Sequence, residues 1–181
     1  RGLFPSIDHT VRPPAVKDTF HWVQSPVGIV SFDRSGTVYS DGSLLDGHGL
    51  FGRLGWSFTV MAAAGLRVLC IARGLPPEWI VDIPGAEAWA VLQALMAGYA
   101  GLHFRVDCLV IVQAIHHGRR WATQAHRPLA RVFLSIFAQL DDLVTSRVQE
   151  LFVWMPAHTR PCHVGVVPLG NGELITVWDR I

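Results

Sequence analysis

The sequence is poor in lysine, in net charge and in paired cysteines. Lys17 is the only lysine beside fourteen arginines, and acids and bases nearly cancel to a net charge of +1. So small a charge does not announce a surface built for nucleic acid or for an anionic membrane. The arginine bias suits phosphate recognition, because a guanidinium offers a planar fork that an ammonium lacks. It suits a skewed genomic base composition equally well. Three cysteines, Cys70, Cys108 and Cys162, include no Cys-x-x-Cys pair. They argue against a disulfide framework and for reduced thiols inside a cell, in nucleus or cytoplasm. Long apolar runs are also missing. The most hydrophobic stretch, residues 55–72, is interrupted by Arg67 and reads as two strands about a turn at Ala64-Gly65, which rejects a transmembrane helix and a membrane partner. The first residues lack the basic start and long apolar run of a signal peptide. With 181 residues, half of them apolar, the chain has the size and composition of one domain with a sizeable core.

Residues 1–27 contain Pro5, Pro13, Pro14 and Pro26 without periodicity, and read as an arm or linker ahead of a domain at 28–181. Strand-like runs follow at "GIVSF" (28–32), "TVYSDGS" (37–43), "WSFTVMAA" (56–63) and "LRVLCIARGL" (66–75), with a glycine-rich loop after Ser43. The period then changes. "IPGAEAWAVLQALMAGYAG" (83–101) is rich in helix formers, and Ala88, Val91, Leu92, Leu95 and Tyr99 share one face. "FRV" (104–106) begins a strand that passes Asp107 and gives way to an apolar helix. Residues 127–144 form a second helix, with Leu129, Val132, Phe133, Ile136 and Leu140 at core spacing. "VQELFVWMPAHT" (148–159) reads as a final strand ending at Pro156. Early strands on short connections, followed by strands separated by helices, predict an α/β fold with a mixed sheet.

Three carboxylates take similar places in this order. Asp41 ends a strand beside Gly42 and Ser43, Glu87 opens a helix, and Asp107 ends another strand. Each has an ordinary explanation. Asp-Gly-Ser is turn chemistry, and a helix dipole favours Glu87 in its first turn. Asp107, bounded by apolar runs, is harder to place without a partner. Carboxylates that converge repel one another unless a cation lies among them, and hard ions such as Mg²⁺ accept oxygen ligands of this kind.

"VYSDGS", "GAEAWAVLQAL", "FRVDCLVIVQAI" and "VWMPAHT", in that order and at those separations, resemble type 1 ribonuclease H domains over roughly residues 30–160. The resemblance implies a five-stranded mixed sheet, its first three strands antiparallel, with helices on both sides. It implies an endonuclease that cuts the RNA strand of RNA–DNA hybrids with two Mg²⁺ ions, or Mn²⁺ as substitute. One ion would activate water and the other stabilise the leaving 3′ oxygen. Asp41, Glu87 and Asp107 match the first three metal-binding carboxylates of that family. His158 matches its loop histidine, which assists proton transfer or product departure. Gly42 and Ser43 would let the nucleic-acid backbone come close. The family's fourth carboxylate opens a C-terminal helix, and this chain stops at "VWDRI". Asp179 matches an Asp-Arg step ahead of that helix, and is the competing candidate for the fourth ligand. The source is then a cellular enzyme or part of a polyprotein with a reverse transcriptase. The alternative is a ribonuclease H-like module that binds nucleic acid or a protein and has lost catalysis.

Other candidates are weaker. His158, Cys162 and His163 lack a second pair to complete a zinc site. His116 and His117 with Arg119 and Arg120 are either a phosphate contact or, more simply, a solvated helix end.

Overall fold

The computed structural model describes residues 18–26, 36–45, 53–63 and 67–180. Most of the proline-containing arm, the strand expected at 28–32, the centre of the glycine-rich loop and the turn at Ala64-Gly65 lie outside the described residues.

The fold is α/β, with one mixed sheet flanked by helices. Its strands are β1 (His21–Gln24), β2 (Thr37–Leu45), β3 (Arg53–Met61), β4 (Val68–Gly74), β5 (His103–Val106) and β6 (Phe152–Trp154), in the spatial order β1-β4-β3-β2-β5-β6. β2, β3 and β4 form the antiparallel meander, while β5 and β6 add in parallel beside β2. The sheet has six strands where the resemblance implies five. The additional one is β1, inside the stretch read as an arm. It pairs antiparallel with the β4 edge, His21 against Arg73 and Trp22 against Ala72. Thr19 fastens its start, since Thr19 N–H donates to the Leu75 carbonyl and Leu75 N–H to Thr19 Oγ1.

Strand alternation makes the core. Cys70, Val60, Val38, Phe104 and Phe152 are register partners in sequence across five strands, and all are fully buried. Each such side chain contributes about 1.5–3 kcal/mol by leaving water. Phe104 and Phe152 also stack with centroids 4.6 Å apart. On the opposite face, Val153 packs with Leu169 and Ile175 of the C-terminal segment.

Helix α1 (Ile83–Ala94) lies across β2 and β3. Asp82 caps it by accepting a 2.8 Å hydrogen bond from Gly85 N–H, and Pro84 occupies its first turn. Ala86, Ala88, Ala90 and Ala94 are fully buried, so the helix can sit close to the sheet on one side and to α4 (Ala130–Leu140) on another. Its continuation widens into a π turn at Leu95–Tyr99, which the glycine Gly98 closes at φ 97°. The helices α2 (Leu109–His117) and α3 (Arg119–Ala122) follow β5. The expected strand at 148–159 shrinks to three residues, because "VQEL" belongs to helix α5 (Thr145–Leu151). Val148 and Leu151 are the buried pair there, three residues apart, and Arg147 pairs with Glu150 at the same step. No helix among the described residues is long and apolar enough to cross a membrane.

Candidate metal centre

Pairing of β2 with β5 ends at Ser40 and Val106, whereas pairing of β2 with β3 continues to Leu45 and Arg53. Asp41 therefore does not end a strand, and Asp-Gly-Ser is not a turn. Asp41 stands within β2 where its parallel neighbour stops, and Asp107 follows that neighbour's last residue. Glu87 is the fifth residue of α1, beyond the first turn expected for it, and its carboxylate reaches both. One carboxylate oxygen from each of Asp41, Glu87 and Asp107 lies within 4.8 Å of the others.

The closeness depends on Gly42. A Cβ at this position would stand 2.8 Å from the Glu87 amide nitrogen and 3.1 Å from Glu87 Cγ. Any side chain there would push α1 and its glutamate off the sheet. Ser43 is exposed and sits over Gly55, where a Cβ would come within 2.8 Å of its Oγ. Asp107 is steadied through its backbone, because the Trp154 indole N–H donates to its carbonyl at 2.9 Å.

The electrostatics of the three are unfavourable as they stand. Glu87 is 4% exposed, and its Oε2 and Asp107 Oδ1 are buried oxygens with no hydrogen-bond partner. Both are acceptors, so only a proton or a cation can satisfy the pair. Burial, then the Asp107 charge, push the Glu87 carboxyl up to about 9, against a smaller opposing pull from the Gly42 N–H. Asp41 is raised too, by desolvation at the cluster and by Asp107, with Gly42 N–H and the charge of His158 pulling it back. Two unpartnered buried oxygens and a third carboxylate beside them fit a hard divalent cation.

His158 lies in the loop after β6, exposed and close enough to act on Asp41. It holds φ 53°, the one non-glycine residue in the left-handed region among those described. Such backbone costs a non-glycine residue roughly 1 kcal/mol, and it gathers at functional sites.

Asp179 does not join the three. It is 5% exposed, and its Oδ1 accepts a hydrogen bond from the Tyr39 hydroxyl at 3.1 Å and lies 3.6 Å from Arg105 Nε. Its Oδ2 accepts from Thr176 N–H at 2.8 Å and from Thr176 Oγ1 at 2.7 Å. Burial and then Asp179 raise the Tyr39 hydroxyl, which stays a donor at ordinary pH. A cavity of about 200 Å³ on this face is lined by Tyr39, Arg105, Trp178 and Asp179, apart from the three carboxylates.

Three of the weaker candidates, His116, Arg119 and His163, are committed elsewhere. His116 Nε2 bonds the Phe152 carbonyl at 2.8 Å, and Arg119 pairs with Asp141 at 2.7 Å. His163 Nδ1 accepts from Arg160 N–H, and no group with Cys162 forms a metal cluster among the described residues. Sequence reasoning missed Trp154, Tyr39 and Arg105. The signal for the last two is their place two residues before Asp41 and Asp107. A half-buried tryptophan within a strand expected to be apolar is itself a reason to look for an acceptor. Comparison with known proteins gives no match, whether to a family model, to a curated protein or to a solved structure.

Proposed function

We propose that the protein is a metal-dependent endonuclease of the ribonuclease H kind, hydrolysing the RNA strand of RNA–DNA hybrids. The observation that carries this reading is the pair of buried, donorless oxygens, Glu87 Oε2 and Asp107 Oδ1, with Asp41 beside them. Asp41, Glu87 and Asp107 would hold Mg²⁺, or Mn²⁺ in its place. Bound in a two-ion centre, such ions supply activation of the attacking water and stabilisation of the leaving 3′ oxygen. The chain's own residues do the rest. The strand and the helix fix the carboxylates before substrate arrives, so little reorganisation accompanies reaction. Gly42 and the exposed Ser43 leave room for a sugar-phosphate backbone. His158 carries a proton on its imidazole between solvent and the reacting phosphate. Preference for the RNA strand comes from 2′-hydroxyls and minor-groove shape, not from base edges.

A second reading, a module that binds nucleic acid or a protein partner without cutting, is favoured by one observation. Three carboxylates converge among the described residues, and the fourth candidate, Asp179, is occupied by Tyr39, Thr176 and Arg105. A substrate panel separates the two. End-labelled RNA–DNA hybrid, duplex DNA, duplex RNA and single strands are incubated with Mg²⁺ or Mn²⁺. Cleavage of the hybrid's RNA strand with 5′-phosphate ends supports the nuclease. Retention of hybrid without cleavage under either ion supports the binding module.

A further inference from the structure

We propose that Asp179 is a positioning residue that braces β2 to β5 from the face opposite α1 and so sets the spacing of Asp41, Asp107 and His158. The inference rests on the reading of those residues as a metal-dependent site.

Tyr39 and Arg105 are direct register partners across the parallel β2–β5 pair. Each stands two residues before a site carboxylate, Tyr39 before Asp41 and Arg105 before Asp107. This is the strand pair whose separation, where the pairing stops at Ser40 and Val106, decides how far apart the two aspartates lie. No side-chain hydrogen bond links Tyr39 to Arg105 directly. Asp179 does so, through the Tyr39 hydroxyl at 3.1 Å and the Arg105 guanidinium at 3.6 Å, both to Oδ1. Arg105 is held a second time by Glu173, whose Oε2 accepts from Nη2 at 3.1 Å. A third link runs to the histidine loop, where Thr159 Oγ1 faces the Asp179 carbonyl at 3.4 Å. One residue thus touches the neighbours of all three groups.

The brace is itself fixed. Thr176 closes on the second oxygen of Asp179, which holds the carboxylate in one orientation. Upstream, Gly170 N–H donates to the Trp154 carbonyl at 2.8 Å, and a Cβ at Gly170 would meet Trp154 at 3.1 Å. Ile175 is buried against Val153. The segment is therefore docked on β6 before it reaches β2. Both oxygens of Asp179 have partners. Ligation of a metal by Asp179 would take the acceptor of the half-buried Tyr39 hydroxyl and leave Arg105 with Glu173 alone, which is the costly half of breaking a largely buried pair. A brace is the role that keeps those bonds.

The test compares Tyr39→Phe, Asp179→Asn and wild type in three readouts: thermal unfolding, Mn²⁺ binding to the apo protein by calorimetry, and kcat and KM for a labelled hybrid. Partners that orient metal ligands change affinity or rate by about 10–100-fold. For a brace, both variants stay folded, bind the same number of ions about tenfold more weakly, and lose kcat with KM for the hybrid little changed. If Asp179→Asn loses one bound ion and falls as far as Asp41→Asn while Tyr39→Phe matches wild type, Asp179 is a ligand and the brace is overturned. If both variants melt lower but keep wild-type Mn²⁺ affinity and kcat, the contact is structural only, and the brace is overturned again. Should Asp179→Asn not fold, Tyr39→Phe decides alone, since it removes a single hydroxyl. Wild type that neither binds Mn²⁺ nor cuts hybrid overturns the reading of the site itself, a result distinct from failure of the brace.

Discussion

Replacing Glu87 by Gln should stabilise the metal-free protein, and by more at high pH than at low. In wild type, Glu87 Oε2 and Asp107 Oδ1 are both buried acceptors without a donor. A glutamine keeps one oxygen for the Gly42 N–H and offers an amide N–H₂ to Asp107. The sign follows from proton linkage. The Glu87 carboxyl is raised from 4.5 in the free residue to about 9 in the folded protein. Between those values the folded state holds a proton that the unfolded state has released, so stability is greatest below pH 4.5 and is lost as pH rises towards 9. Removing the titration removes the loss. Holding a proton that the unfolded chain has released costs the fold in proportion to the gap between the two values, so Glu87→Gln should gain at least about 2 kcal/mol near pH 8. At about 2–4 °C per kcal/mol for a chain of this size, that is a rise in Tm of about 4–8 °C. Near pH 5 the gain should shrink towards zero. Circular dichroism melts in EDTA from pH 5 to 8.5 read both quantities. Divalent cation should then raise the Tm of wild type and leave that of the variant nearly unmoved, since a ligand stabilises only the form it binds. A variant that melts below wild type at pH 8, or a gain independent of pH, would refute the account of Glu87.

Other substitutions probe the same site. Gly42→Ala places a methyl 2.8 Å from the Glu87 amide nitrogen, and overpacking of this kind costs about 1–3 kcal/mol. Chemical denaturation should show that loss, and Mn²⁺ affinity should fall with it, because α1 must retreat from the strand. His158→Ala should leave Mn²⁺ binding intact and slow hybrid cleavage by about 100-fold or less without abolishing it, as removal of a proton carrier does. His158→Gly should melt slightly higher than His158→Ala, because glycine accepts φ 53° without strain.

The three carboxylates were legible because each lies beside a strong local signal: a β-branched and aromatic strand, a Pro-Gly helix start, and an apolar run broken by one charge. What their spacing could not tell is that β2 runs on past Asp41, since that depends on β3 continuing opposite it. The helix α5 was misread because "VQELFVWM" is apolar enough for either period. Only the packing of Val148 and Leu151 selects the helix for its first half. β1 carried no alternation to read, as His21, Trp22, Val23 and Gln24 are all exposed and are held by backbone pairing with β4. The place of Asp179 was hidden by distance, because its partner Tyr39 is 140 residues earlier in the chain. Nothing local to "VWDRI" marks its aspartate as buried.

The most direct measurement is RNA-strand cleavage of a labelled hybrid by wild type and by Asp41→Asn, side by side, in Mg²⁺ and in EDTA. The account predicts cutting by wild type in Mg²⁺, none in EDTA, and none by the folded variant under either condition. Cutting that persists in EDTA, or an Asp41→Asn protein that keeps near-normal rates, would contradict it.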